Sequence, residues 1–341
     1  MSGVKTWHGV NDIPEDFAQC VTAIGVFDGI HRGHQQLITA AVQRARELDV
    51  PAVLMTFAPH PLAVVAPNRV PPLLCDVDER ARRAQELGVD YFLAVEFSRD
   101  LAALSPQDFI DTIVVGRLHA RAVFVGENFT FGHKASGTIE TLRELGESRG
   151  FEAHVVDLLT EEDEDGTALS SSYARSLLAE GDVQRTAHVL GRNYTVCGIV
   201  EHGAGRGGRE LGYPTANMYF PDTVALPADG VYCGWFRILD PAPGKTTISG
   251  TMEPEVAYPA AISIGTNPTF GDHRRSVEPF VLDQDADLYG CRCEVEFVDH
   301  LRSMKKFSGV DELLDAMAND VKQTRTILAQ SEPTRRQHPD S

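Results

Sequence analysis

The sequence predicts an α/β first half, a parallel sheet with helices on both faces, followed by a smaller all-β half that one amphipathic helix closes. Three features of the 341 residues carry this reading. Up to about residue 190, short apolar runs alternate with segments of helical periodicity. From Gly191 onward, period-two segments broken by glycine and proline take over, the pattern of a small antiparallel barrel or sandwich. Leu313, Leu314, Met317, Val321 and Leu328 then recur at helical spacing near the carboxyl end. The length suits two domains, and 43 % hydrophobic with 23 % charged residues is ordinary for folded protein.

Taken in order, residues 21–27 read as a buried strand bounded by Gly29. Leu37, Ile38, Ala41, Val42, Ala45 and Leu48 fall on one face of the helix after it. Residues 52–57 form the next strand, and a helix over 79–87 stops at Gly88. Residues 91–97 are a strand, and Ser105-Pro106 opens a helix with a cap residue followed by proline. Strands at 122–125 and 153–156 flank a helix over 138–149. The acidic run 161–165 is a loop, and two short helices, 172–180 and 182–190, meet at Gly181. Strands are then expected at 194–200, 231–238, 260–264, 277–282 and 293–297. Residues 331–341, polar and proline-containing, are expected to be disordered.

With 31 basic and 49 acidic residues the net charge is −18, which repels nucleic-acid phosphate, so no nucleic-acid partner is expected. No apolar stretch reaches 18 residues, and residues 1–12 lack a basic segment followed by an apolar core. A cytoplasmic protein without a membrane association is the expectation, with homo-oligomerisation left open. The six cysteines suit reduced core thiols, the pair Cys291 and Cys293 sharing one face of a strand.

Chemistry concentrates in two places. The first is Gly25-Val26-Phe27-Asp28-Gly29-Ile30-His31-Arg32-Gly33-His34, between the first long strand and the first helix. Ligands bind there in doubly wound sheets, beyond a strand's carboxyl end. The glycines let backbone approach a phosphate, and His31 and His34, three apart at a helix start, face one way. Helix dipole and imidazole donors together suit a polyphosphate. The second place holds five glycines between Gly203 and Gly212, then Tyr213-Pro214-Thr215-Ala216-Asn217. Pro214 obstructs a long helix, so no dinucleotide fold is expected here despite Gly203, Gly205 and Gly208. Thr215 and Asn217 point to one side of an extended strand, as hard oxygen ligands for magnesium would.

The first motif, with Thr56-Phe57-Ala58-Pro59-His60-Pro61, Gly126-Glu127-Asn128-Phe129-Thr130-Phe131-Gly132 and Leu169-Ser170-Ser171-Ser172-Tyr173-Ala174-Arg175, resembles the signature blocks of prokaryotic bifunctional riboflavin kinase/FMN adenylyltransferases, in order. The second, with residues 226–232, 265–270 and 276–278, resembles the riboflavin-kinase part of the same family. The chain departs from the usual pattern at Ala58, Asn128 and Ala168, where acidic, Asp and basic residues are common.

The resemblance implies a Rossmann-like nucleotidylyltransferase domain at 1–186 and a riboflavin-kinase antiparallel β-barrel with a closing helix at 187–330. It implies riboflavin, FMN and FAD as substrates and products, ATP as co-substrate and Mg²⁺ as cofactor. By the same resemblance His31, His34 and Asn128 serve adenylyl transfer, and Gly25, Phe27, Asp28, Gly29, Ser171, Ser172 and Arg175 bind its nucleotide. Gly205, Gly208, Gly212, Thr215 and Asn217 bind ATP in the kinase, the last two with Mg²⁺. Glu278 is the base for the ribityl hydroxyl, and Arg302 with Phe307 borders the flavin. Two rival readings are an enzyme with the kinase activity alone and a non-catalytic flavin- or RNA-binding barrel.

Overall fold

The computed structural model describes residues 4–157, 159–160, 166–202, 213–245, 248–266 and 275–335. The chain forms two compact units, the first ending at Ser171 and the second beginning at Ser172.

In the first unit, β1 (Lys5–Trp7), β2 (Cys20–Ile24), β3 (Ala52–Ala58), β4 (Tyr91–Glu96), β5 (Ala120–Gly126) and β6 (Glu152–Val156) form one sheet, in the order β1-β4-β3-β2-β5-β6. Every pairing is parallel, as expected of strands separated by helices. Alternate side chains feed two cores. Val21, Ala23, Leu54, Phe92, Ala94 and Phe124 pack in one, with Leu37, Ile38, Ala41 and Ala45 of the helix Arg32–Glu47 and Ala81 and Ala84 of the helix Val77–Glu86. Ile24, Val53, Met55, Leu93, Val95 and Val123 pack in the other, with Phe109, Ile113 and, from the helix Ile139–Arg149, Leu142 and Leu145. Burial on both faces is why these strands read as continuous apolar runs. The sequence reading omits β1, which is too short to show a period. Trp7 anchors it, buried and stacked on Tyr91 at 4.6 Å.

In the second unit, β7 (Tyr194–Glu201), β8 (Asn217–Phe220), β9 (Gly230–Asp240), β10 (Ala257–Thr266), β11 (Arg275–Val281) and β12 (Arg292–Ser303) close into a barrel, order β10-β11-β8-β7-β12-β9. All its pairings are antiparallel. The choice between barrel and sandwich is thereby decided. Val196, Val200, Met218, Ile262, Ile264, Val277, Val295 and Phe297 are buried in this unit. The helix Val310–Leu328 packs on β9, β10 and β12. Cys291 and Cys293 are buried, and burial pushes the Cys293 thiol up, consistent with inert core thiols.

Two expectations change. The helices Ser171–Glu180 and Val183–Leu190, placed by sequence largely before a boundary at 186/187, pack with the barrel instead. The Ala228 N–H donates to Leu178 O at 2.8 Å, and Val183, Val189 and Leu190 are buried. The disordered tail expected from residue 331 begins as an ordered strap. Glu296, 1 % exposed, accepts Thr334 N–H at 3.0 Å and Thr334 Oγ1–H at 2.9 Å, besides Asn193 Nδ2–H at 2.7 Å. Arg237 donates to Thr334 O at 3.2 Å and pairs with the buried Glu294. A carboxylate on the barrel wall needs donors once water is excluded, and residue 334 supplies them. Residues 336–341 lie outside the described residues.

Removing residues 332–341 should therefore cost the second unit about 1–3 kcal/mol, the worth of hydrogen bonds to a charged group. The check is its thermal unfolding transition, which should shift down; an unmoved transition would mean that the strap carries no stability.

Candidate functional site

The sheet winds from β2 through β3 to β4 in one direction and crosses to β5 and β6 in the other. The carboxyl ends of β2 and β5 are thus the topological switch point, where doubly wound sheets bind ligands. Residues 25–31 leave β2 there, and Asn128 lies exposed two residues beyond β5. The loop turns through left-handed Phe27 (φ 52°), Gly29 (φ 77°) and Ile30 (φ 39°). The Phe27 ring folds over Gly25, where a Cβ would come within 3.1 Å of it, and the His31 ring lies over Gly33, where a Cβ would meet it at 3.3 Å. Both glycines are bare backbone on which a ring rests.

Side chains of this loop divide between inside and outside. Phe27 is buried, and the 2 % exposed Asp28 carboxylate accepts the N–H groups of Leu74 at 3.0 Å and Cys75 at 3.2 Å. Asp28, expected by resemblance at the nucleotide, thus has its carboxylate turned toward residues 74–75. Gly29 N–H donates to Cys75 Sγ, and Ser171 Oγ–H donates to Asp28 O at 2.8 Å, joining the last signature block to the first. His31 caps the helix Arg32–Glu47 in extended backbone and stacks on His34, ring centroids 3.6 Å apart. The buried Nδ1 of His34 has no hydrogen-bond partner among the described residues. Burial first, and then the neighbouring His31, hold His34 well below its ordinary pKa, so its ring is neutral near pH 7. Ser172 and Arg175 lie in the helix Ser171–Glu180 of the second unit, three apart and so on one helix face.

The barrel holds a second constellation. Met218 pairs with Val277, which sets Asn217 opposite Glu278 on adjacent strands, and Ala216 N–H donates to Pro279 O at 3.0 Å just beyond. Glu278 pairs with Ser263, Ser263 with Val231, and Val231 with Arg302. Asn217 and Arg302, 85 positions apart, therefore lie in one row around the barrel, on the face opposite the buried Met218, Val277 and Ile264. Asn217 Nδ2 donates to Thr215 O at 3.2 Å, and its Oδ1 makes no hydrogen bond among the described residues. Ser276, two before Glu278 and so on its face, donates to Glu278 Oε1 at 2.8 Å; the sequence reading missed this orienting residue. Arg302 forks onto Asp320 at 2.8–3.2 Å with the Phe307 ring 5.5 Å away, tying β12 to the closing helix. Gly205, Gly208 and Gly212 lie outside the described residues, as do 161–165 and 267–274. No cluster of three His, Cys, Asp or Glu side chains suited to a metal exists among the described residues.

Residues 13–173 match the family model described as FAD synthetase, and residues 190–328 the one described as riboflavin kinase. A relative from Bacillus subtilis, a bifunctional riboflavin kinase/FMN adenylyltransferase, is 33 % identical over 94 % of this chain and 96 % of its own. One of the same description from Escherichia coli is 32 % identical over 98 % of this chain and 100 % of its own. The chain belongs to the bifunctional riboflavin kinase/FMN adenylyltransferases. A crystal structure described as a macrolide-efflux protein from Streptococcus pneumoniae also superposes, with a TM-score of 0.80 and 30 % identity, covering 94 % of this chain and 98 % of that one. No described helix of this chain is long and apolar enough to cross a membrane. The matches put the bifunctional family over both units, so the two constellations belong to a transferase.

The His34 shift has a sign that can be measured. Its folded pKa lies below the unfolded value of about 6.5, so below that pH the unfolded chain binds the extra proton and stability falls. Between pH 6.5 and the folded pKa, wild type should lose up to ~1.4 kcal/mol per pH unit more than His34→Gln. Parallel melting-versus-pH curves for the two proteins would refute the burial of this imidazole.

Proposed function

We propose that this chain makes FMN and FAD at two separate sites, with the residues above in named roles. It phosphorylates riboflavin to FMN with ATP, and adenylylates FMN to FAD with release of pyrophosphate. The observation that carries the division is the barrel register, which sets Asn217 beside Glu278 far along the chain from the His31–His34 pair.

In the kinase, the Glu278 carboxylate, held by Ser276, accepts the proton of the ribityl 5′-hydroxyl as its oxygen attacks the γ-phosphorus and ADP departs. Arg302 and Phe307 border the flavin ring. Three strand spacings of ~4.8 Å, roughly 14 Å along the barrel wall, separate Arg302 from Glu278, a span for the flavin ring and its ribityl chain together. Asn217 Oδ1 and the Thr215 hydroxyl are hard oxygen donors that fit Mg²⁺, which takes few protein ligands beside substrate phosphates. When bound, the metal would supply positive charge at the transferring phosphates. Gly205, Gly208 and Gly212 belong to the loop proposed to wrap that nucleotide.

In the adenylyltransferase, the FMN phosphate oxygen attacks the α-phosphorus of ATP. Gly25 and Gly29 bring backbone to the phosphates, His31, His34 and Asn128 stabilise the charge that develops, and Ser171 contacts the triphosphate. Positioning and charge neutralisation suffice, without a covalent intermediate.

Separating the flavins formed from riboflavin, ATP and Mg²⁺ tests the assignment. Asn217→Ala and Glu278→Gln should abolish FMN formation and leave adenylylation of supplied FMN intact, Glu278→Gln lowering kcat more than it raises KM. His31→Ala should do the reverse, with a loss on the order of 3 kcal/mol in transition-state stabilisation. Equal loss of both activities from any one change contradicts two independent sites.

The modules are also proposed to separate. Because the helices after Ser171 and the strap at Thr334 belong with the barrel, a fragment of residues 172–335 should phosphorylate riboflavin alone. A fragment of 182–330 should melt lower. An inert but folded 172–335 fragment would contradict the modular reading.

A further inference from the structure

Arg80 is 4 % exposed, yet no carboxylate pairs with it among the described residues. Its helix neighbours behave differently: Arg82 and Arg83 both pair with Glu79 and Glu86. Arg80 Nη1 instead donates to Val26 O at 3.0 Å, Thr56 Oγ1 at 3.0 Å and Phe57 O at 3.4 Å, and Nε donates to Asp76 O at 3.4 Å. Thr56 Oγ1 in turn donates to Val26 O at 2.8 Å. Nη2 makes no hydrogen bond among the described residues. Asp28, the buried carboxylate of the same loop, is occupied by the amides of Leu74 and Cys75.

Val26 lies in the loop that leads to His31, and Thr56 and Phe57 lie near the carboxyl end of β3, so the guanidinium bridges the ends of two adjacent strands at the binding edge of the sheet. A buried cation answered only by neutral oxygens is costly to keep, because it has lost water without gaining a counter-charge. Its field, in turn, is weakly screened. An anion bound at this edge would supply the missing charge.

We propose that Arg80 is a positioning residue for adenylyl transfer, clamping the ends of β2 and β3 and placing a fixed positive charge beneath the loop that receives phosphate. The proposal rests on the reading that this unit transfers the adenylyl group. That reading fails separately, if wild-type chain makes no FAD from FMN and ATP.

Two variants of the full chain separate charge from scaffold. Arg80→Lys keeps the charge, and Arg80→Gln keeps donors without it. Arg80→Gln should lower kcat/KM for FAD formation about tenfold or more and weaken binding of inorganic pyrophosphate, measured by calorimetry, while riboflavin phosphorylation is unchanged. Arg80→Lys should stay within about threefold of wild type in both readouts. Wild-type FAD formation by Arg80→Gln overturns the proposal, as does an equal fall in both variants with melting unchanged. Should Arg80→Gln unfold the first unit, Arg80→Lys decides: retained pyrophosphate binding supports the charge role, and its loss overturns it.

Discussion

A chain of net charge −18 that uses ATP in two reactions must build positive potential locally, against its own long-range field. In the proposed reading the first unit does so with means that add little net charge: a helix start, glycine backbone, two stacked imidazoles and one buried guanidinium. Each is held from outside the loop. Asp28 reaches the amides of residues 74 and 75, Ser171 bonds the Asp28 carbonyl, and Arg80 grips the carbonyl of Val26. These contacts fix the shape of the loop, which in the proposed reading leaves little binding energy to be used in ordering it.

The barrel places its constellation by other means. Its closed hydrogen bonding leaves register as the device that places chemistry, since residues opposite one another share a face. The proposed base, Glu278, and the proposed metal ligand, Asn217, are neighbours for that reason, and Ser276 steadies the carboxylate from its own strand. Arg302 is held by Asp320 of the closing helix, so the edge proposed to border the flavin is fixed by tertiary packing.

What the sequence disclosed was local. His31 and His34 stand three apart at a helix start, so spacing alone orients that pair. What it hid depends on contacts across the chain. Arg80 looks like one more arginine in a charged helix, and only the placement of β3 brings it to Val26, 54 residues away. That the Asp28 carboxylate turns to the amides of Leu74 and Cys75 is likewise hidden, because sequence does not show which way a loop carboxylate points. The strap at Thr334 reads as a polar tail until the barrel puts the buried Glu296 under it. β8 hides among glycine and proline, although Met218 and Phe220 alternate with Asn217 and Tyr219 as a barrel strand should.

The central claim is that one chain attacks two different phosphorus atoms of ATP at two sites. Supplying ATP labelled at either the γ- or the α-phosphate, with riboflavin or with FMN, tests it most directly. The account predicts that γ-label enters FMN from riboflavin, while α-label enters FAD and the rest of the triphosphate leaves as pyrophosphate. If α-label never reaches flavin while γ-label does, the His31–His34 site does not transfer the adenylyl group and the account is contradicted.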